Sequence, residues 1–304
     1  MLSDDLTRHV DLHRGLGFRF RTQHGLLRSF VRFAEEHGDI FIHADRALDW
    51  ASQAPSPPQR RNRLVTVRRF ALALHAEEPR HEVAPADALG RATFRRRIPH
   101  IYAPDEITGL MEAAAALPPG KLDQPLIYTT LFGLLAATGM RISEALALRL
   151  DDIIADGLII RQTKFHKSRL LPLHDTTRSA LDRYVLARRQ MASSTETLFV
   201  SAKGEVLSDN TVRGVFQRLT RALGLRGKTD RRAPRINDLR HTFAVSSLEQ
   251  CGQDPNAVAR HIAALTTYLG HAHVTDTYWY LQATPTLMAG IAEVSEAAHR
   301  EGVA

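Results

Sequence analysis

Residues 138–153 read TGMRISEALALRLDDI and residues 268–281 read YLGHAHVTDTYWYL. The first segment closes the longest apolar stretch of the chain, Tyr128 to Met140, which is interrupted by Thr129, Thr130, Gly133, Thr138 and Gly139. That pattern predicts a buried helix with a break at its end, and it falls short of the ~20 apolar residues of a membrane span. In the second segment Leu269-Gly270-His271 suits another helix end, and Tyr268, Tyr278 and Tyr280 cluster around it. Two further polar boxes lie between them, TKFHKSRLLPL at 163–173 and NDLRHTFA at 237–244. Leu158-Ile159-Ile160 and Leu170-Leu171-Pro172-Leu173 flank Thr163 to Ser168, which predicts a short β-hairpin or meander.

N-terminal to these boxes the pattern is helical. Phe18, Phe20, Leu26, Leu27, Phe30, Val31 and Phe33 recur at three- and four-residue spacings and end at His37-Gly38. A second helix is expected at 43–53 around Leu48 and Trp50, and Pro55, Pro57 and Pro58 end it. A third places Leu64, Val67, Phe70, Ala71 and Leu74 on one face. Its other side carries Arg60, Arg61, Arg63, Arg68 and Arg69 with no interleaved acid, either a solvated face or one that meets phosphates. Between Glu77 and Pro99 periodicity lapses, and Arg95, Arg96 and Arg97 precede Ile98-Pro99. Pro104-Asp105-Glu106 then opens a helix with Ile107, Leu110, Met111 and Ala114 on its apolar face. The expected organisation is a helical domain at 1–80, a basic linker at 81–100 and a larger domain at 101–304. The fold class is mainly α with a small antiparallel β-sheet.

Composition narrows the function. Of 304 residues, 40 are Lys or Arg and 33 are Asp or Glu, a net charge of +7 that suits a polyanionic partner. Only five of the forty cations are Lys, and arginine forks match phosphate oxygens. One cysteine, Cys251, excludes a disulfide framework and Cys-rich zinc or iron–sulfur sites. The start MLSDDLTRHVDLHR has acids where a secretion signal has a basic segment, so a cytoplasmic protein is expected. Walker A, GxGxxG, HExxH and GxSxG patterns are missing, and His271 with His273 lacks the Cys or carboxylate companions of a metal site. No cofactor and no metal are expected.

The four boxes, in this order and with these neighbours, closely resemble the tyrosine recombinase (phage integrase) family from about residue 101 to the end. The resemblance implies a two-domain architecture: a helical core-binding domain and a mixed catalytic domain. It matches Arg141 and Arg240 to the two catalytic arginines, Lys164 to the hairpin lysine, His271 to the histidine of the Leu-Gly-His box and Tyr280 to the nucleophile. Tyr280 lies nine residues after His271, the usual interval. Packing could claim any of the three tyrosines; only this interval singles out Tyr280. Lys167 competes with Lys164, and the family pattern places the chemical lysine directly after Thr163. Lys167 and Arg169 are expected to touch backbone or solvent. The tail, with Leu287, Met288, Ile291 and Val294 on one face of a possible helix over 285–300, is expected to cap its own domain or pack on a neighbouring protomer.

The residue types fit this chemistry. Attack of a tyrosine on a phosphodiester builds negative charge that two permanently charged guanidinium forks can meet. A lysine among arginines has its charged form disfavoured, which makes it a better proton donor to the leaving oxygen. Glu144, three residues after Arg141, reads either as a surface ion pair or as the group that orients an active-site neighbour. One residue departs from the pattern: Asn237 stands where the family has histidine, and an amide can hydrogen-bond but cannot shuttle a proton. His241 is a candidate to compensate. The reading is a site-specific DNA recombinase of integrase or transposase type from a mobile element, acting through a 3′-phosphotyrosyl link. Its expected partners are double-stranded DNA, in the nucleoid, and further copies forming a tetramer on DNA, alone or with other recombinases. The rival readings are a catalytically weakened DNA-binding or architectural protein of the same fold and a type IB topoisomerase-like activity.

Overall fold

A computed structural model describes residues 1–18, 20–90, 97–120, 123–161, 168–227, 233–250, 255–271 and 273–281. Lys164, Lys167, Arg95, Arg96 and the tail 285–300 lie outside the described residues. The chain divides into two compact units, Met1–Arg97 and Ile98–Ala304.

The first unit is built from α1 (Leu2–Gly15), α2 (Arg21–Glu36), α3 (Ala44–Ser52) and α4 (Pro57–Glu77). Its core joins Leu27, Phe30, Trp50, Leu64, Val67 and Phe70, the side chains whose spacing marks the helices. Each such large side chain contributes about 1.5–3 kcal/mol by leaving water. Pro57 and Pro58 open α4 rather than merely ending α3, because a proline in the first turn has no N–H to leave unsatisfied. Phe18 and Phe20, read as the start of a helical pattern, sit between α1 and α2; Phe18 is exposed, and Phe20 takes a left-handed backbone (φ 45°). The arginines of α4 are partly committed to their own unit. Arg60 donates to the Ala54 carbonyl (2.7 Å), Arg68 to that of Ala84 (3.1 Å) and Arg63 to that of Trp50 (3.1 Å). The Arg63 guanidinium also lies 4.8 Å over the Trp50 ring.

Residues 81–84, placed at the start of the linker by their lack of periodicity, are stitched into this unit. The Ile42 amide donates to His81 Nδ1 (3.1 Å), the Glu82 amide donates to the Ile42 carbonyl (2.7 Å), and Ala84 is buried in the core. Backbone bonds across some forty residues leave no periodic trace in a sequence.

The second unit holds α5 (Pro104–Ala115), α6 (Gln124–Thr138), α7 (Ile142–Ala147), β1 (Ile153–Ile154), β2 (Gly157–Ile160), β3 (Arg169–Leu171), α8 (Asp175–Gln190), α9 (Asp209–Ala222), α10 (Asp238–Glu249), α11 (Pro255–Leu269) and α12 (Thr275–Leu281). The three strands form an antiparallel meander in the order β1-β2-β3, with Leu158 opposite Leu171 and Ile160 opposite Arg169. The main core gathers Phe132, Phe199, Phe216 and Tyr184 between α6, α8 and α9. A second cluster joins Val245 and Leu248 of α10, Ile262, Leu265 and Leu269 of α11 and Tyr280 of α12. The fold is thus mainly helical with one small antiparallel sheet.

Helix α6 brings its C-terminal end against two other helices of this unit. Asp123 caps its start by accepting the Leu126 amide (3.0 Å), and Gly139 ends it in the left-handed region (φ 60°). A β-carbon on Gly139 would come within 2.5 Å of the Phe243 ring and 3.2 Å of Leu269, so glycine lets the end of α6 abut α10 and α11.

Candidate active site

Arg240 is the buried centre of the site. Asp238, fully buried in the first turn of α10, accepts from the Arg235 amide (2.9 Å) and guanidinium (3.1 Å), fixing how the chain enters the helix. Two residues on, the Arg240 guanidinium donates Nη1 to the Gly139 carbonyl (2.8 Å) and Nη2 to the Leu269 carbonyl (2.7 Å). These carbonyls end α6 and α11, where the helix dipoles place partial negative charge, so two helix ends hold the cation, with no directly bonded carboxylate among the described residues. Burial, with Arg141 next to it, lowers its pKa to about 10, which leaves it charged at neutral pH. Tyr280 lies close enough to this guanidinium to raise its pKa against the effect of burial.

Arg141 is the residue before α7, not within it. Glu144, buried, accepts the Arg141 amide (2.9 Å) and its Nη1 (2.9 Å), tying the arginine to the start of that helix. The carboxylate also takes two bonds from Arg169 of β3, Nη1 at 3.1 Å and Nη2 at 2.8 Å. Burial alone would raise its pKa, but Arg169 and then Arg141 outweigh burial and hold it below the ordinary carboxylate value. Glu144 is therefore not a surface ion pair.

Arg169, expected to touch backbone or solvent, is instead buried on a carboxylate as well as on a backbone carbonyl. Its side chain is 11% exposed, and beyond Glu144 it donates Nε to the Tyr268 carbonyl (2.9 Å). It thereby joins the hairpin strand to the turn that carries His271. A β-carbon on Gly270 (φ 67°) would stand 2.7 Å from Arg169 Nη1, a contact that glycine removes.

His271 follows that turn. Its amide bonds to the Thr266 carbonyl (3.0 Å), and its Nδ1 lies 2.8 Å from the Thr277 hydroxyl. Burial, then the charges of Arg240 and Arg141, lower its pKa to about 4, so the ring is neutral at physiological pH. Tyr280 is 3% exposed, with its ring 6.0 Å from that of His271 and 5.4 Å from that of His241. Tyr278 is 50% exposed, and Tyr268 stacks on Phe243 at 5.5 Å. The structure therefore brings Arg141, Glu144, Arg240, His241, His271 and Tyr280 together. Asn237 sits at the N-terminal boundary of α10 with its residue exposed, one turn before Arg240. Lys164 belongs to the segment outside the described residues.

Sequence reasoning missed Arg169, Asp238, Thr266 and Thr277. A signal for Asp238 was present, an acid in a helix's first turn. The other three act through contacts that only the fold creates.

Two buried or half-buried guanidinium groups, a neutral imidazole and a buried tyrosine thus share one site. Residues 101–286 match the phage integrase family. The integrase/recombinase y4rB of Sinorhizobium fredii is 40% identical over 92% of this chain and 92% of its own. The tyrosine recombinase XerD of Bifidobacterium longum is 30% identical over 93% of each chain. The solved structure of the Tn1549 transposon integrase in complex with transposon right end DNA is similar in fold, with a TM-score of 0.65 at 16% identity over 98% of this chain and 99% of that one. The chain belongs to the phage integrase family. It is a tyrosine-type site-specific recombinase.

Proposed function

We propose that Tyr280 is the nucleophile and that Arg141 and Arg240 hold the phosphoryl group it attacks. The observation that carries this is the placement of Tyr280, buried with its ring 6.0 Å from that of His271 and 5.4 Å from that of His241, while Tyr278 is half exposed. On a duplex, the Tyr280 oxygen forms a bond to phosphorus and the bond from phosphorus to the 5′-oxygen breaks. The 5′-oxygen leaves with a proton, and Lys164, by its place in the family pattern, supplies it. The product is a 3′-phosphotyrosyl link and a free 5′-hydroxyl. Attack by the 5′-hydroxyl of a partner strand reverses the step, so the phosphodiester energy is conserved and the chemistry needs no ATP.

The forks of Arg141 and Arg240 meet the charge that grows on the non-bridging oxygens. Glu144 and Arg169 fix Arg141 in place, and Asn237, exposed one turn before Arg240, is free to hydrogen-bond to the phosphate. Exchange between two duplexes requires several copies, and a lambda integrase of the same fold is known as a tetramer bound to a Holliday junction. We read this chain as acting in a tetramer on DNA, with the first unit and the basic 95–97 segment contributing phosphate contacts. Linear DNA carrying a nick near the cleavage point traps the covalent intermediate. Tyr280→Phe should bind that DNA with unchanged affinity and form no adduct. An adduct in this variant would overturn the assignment.

A further inference from the structure

The last two carbonyls of α11 are each held by an arginine. The amides of Gly270 and His271 turn back to the Thr267 and Thr266 carbonyls (3.0 Å each), which closes the helix and leaves the Tyr268 and Leu269 carbonyls beyond its own ladder. Arg169 Nε donates to the Tyr268 carbonyl (2.9 Å) and Arg240 Nη2 to that of Leu269 (2.7 Å). Each arginine has a second hold. Arg240 Nη1 donates to the Gly139 carbonyl (2.8 Å), two residues before Arg141. Both Nη groups of Arg169 donate to Glu144, which accepts the amide and Nη1 of Arg141. The contacts close a ring that runs from Arg141 through Glu144, Arg169, the end of α11, Arg240 and Gly139 back to Arg141. Glu144 and Arg240 are buried and the Arg169 side chain is 11% exposed, so little water competes for these bonds.

We propose that Arg169 is a positioning residue for Arg240: by holding the end of α11 it fixes the Leu269 carbonyl to which Arg240 donates, so that one side chain sets both arginines of the site. The proposal rests on the roles given above to Arg141 and Arg240 for its effect on rate, but not for its effect on Arg240 itself. A guanidinium presents Nε and Nη in one rigid plane, so a single side chain serves a carboxylate and a carbonyl in fixed directions. Gly270 makes room for that plane, since a β-carbon there would stand 2.7 Å from Nη1 and 3.0 Å from Cζ of Arg169. Without Arg169 the end of α11 loses its tie to β3 and Glu144. The Leu269 and Gly139 carbonyls are then no longer held at the spacing that Arg240 bridges. A lysine at this position keeps the charge beside Glu144 but has no donor where Nε stands, so the Tyr268 bond is lost.

The test is 15N NMR of the arginine-labelled full chain without DNA, with the Arg240 guanidinium signals assigned as those missing from Arg240→Lys. Bonds at both Nη groups slow rotation about their bonds to Cζ, so the parent should give separate Nη signals for Arg240. In Arg169→Lys and in Arg169→Gln those signals should shift and merge. On the nicked DNA, each variant should slow single-turnover adduct formation by about 10-fold or more, with affinity for the DNA within about 3-fold of the parent; a misplacement of about 1 Å at a reaction centre costs up to about 10²-fold. Merged Arg240 signals in the parent overturn the proposal, as do signals that Arg169→Lys leaves unchanged. A change confined to Arg169→Gln also overturns it, because lost charge and not the lost Tyr268 bond would then be the cause. Shifted signals with an unaltered rate overturn the positioning role, and equal losses in rate and affinity make Arg169 a phosphate anchor instead. Absence of any adduct from the parent chain would count against the active-site assignment, since the signals are read without DNA.

Discussion

Replacing Arg169 with methionine removes a cation from a buried carboxylate while keeping most of the side chain's apolar length. Glu144 is 8% exposed and Arg169 11%, and their two bonds are 3.1 and 2.8 Å long. Breaking a buried pair by deleting one partner costs about 3–5 kcal/mol, because the remaining charge stays buried. Arg141 still holds Glu144 through its amide and Nη1, which moderates that loss, while the Tyr268 carbonyl loses its donor. We expect a net cost of about 2–4 kcal/mol, set by the ion pair more than by the lost carbonyl bond. For a unit of this size that lowers the melting temperature by roughly 4–16 °C, at about 2–4 °C per kcal/mol. The assay is thermal unfolding of the full chain by circular dichroism, with the transition of the first unit as internal reference because Arg169 lies outside it. The deficit should be largest at neutral pH and shrink on acidification. Glu144 titrates below the ordinary carboxylate value, so its contribution is present above that ordinary value and is lost as pH falls through its own lowered one. A variant that melts within about 1 °C of the parent at neutral pH would refute the claim that this pair is buried and energetically coupled.

Arg141→Ala and Arg240→Ala should each slow covalent-adduct formation by about 10²-fold or more while DNA binding falls much less; equal losses in both would make them general phosphate anchors instead. His271, held near 4 by burial and two arginines, should produce no step in the rate of adduct formation between pH ~5.5 and ~8.5. Its stability effect has the same sign as that of Glu144 but acts at higher pH. The unfolded chain binds a proton to this imidazole below its ordinary value of 6.5 and the folded chain does not until about 4, so folding weakens across that window as pH falls. His271→Gln should flatten this part of the stability profile, and an unchanged profile would mean the ring is not desolvated. In the first unit, replacing Arg61 and Arg69 together should make the slope of log affinity against log salt shallower by about 2, at about 0.9 per phosphate contact. Replacing Arg63 should instead destabilise the unit through its Trp50 contacts, and a slope unaffected by the first pair would place those two arginines in solvent.

The parts of the fold that were legible in the sequence are those set by local rules. The apolar run from Tyr128 with its terminal Gly139 is α6 and its left-handed end, Pro104-Asp105-Glu106 opens α5, and the apolar segments on either side of the 163–168 box pair through Leu158 to Ile160 of β2 and Leu170 and Leu171 of β3. Side chains that act through distant contacts were not legible. Arg169 meets Glu144 across 25 residues and the Tyr268 carbonyl across 99, so its spacing looks like that of a solvated hairpin cation. Thr277 and Thr266 look like ordinary helix residues until α11 and α12 pack together. The arginines of α4 read as a free basic face, yet three of them donate to carbonyls of their own unit, one of them across 16 residues. Asn237 is the converse case, because the substitution was plain in the sequence and the structure adds only that the residue is exposed.

On the proposed mechanism the oxygen attached to phosphorus belongs to Tyr280 and not to its neighbour two residues away. The most direct measurement digests the trapped protein–DNA adduct of the parent chain and maps the modified tyrosine by mass spectrometry, with Tyr278→Phe as a parallel sample. A single nucleotide-bearing residue, Tyr280, is expected in both samples. A modification at Tyr278, or an adduct abolished by Tyr278→Phe, would contradict it.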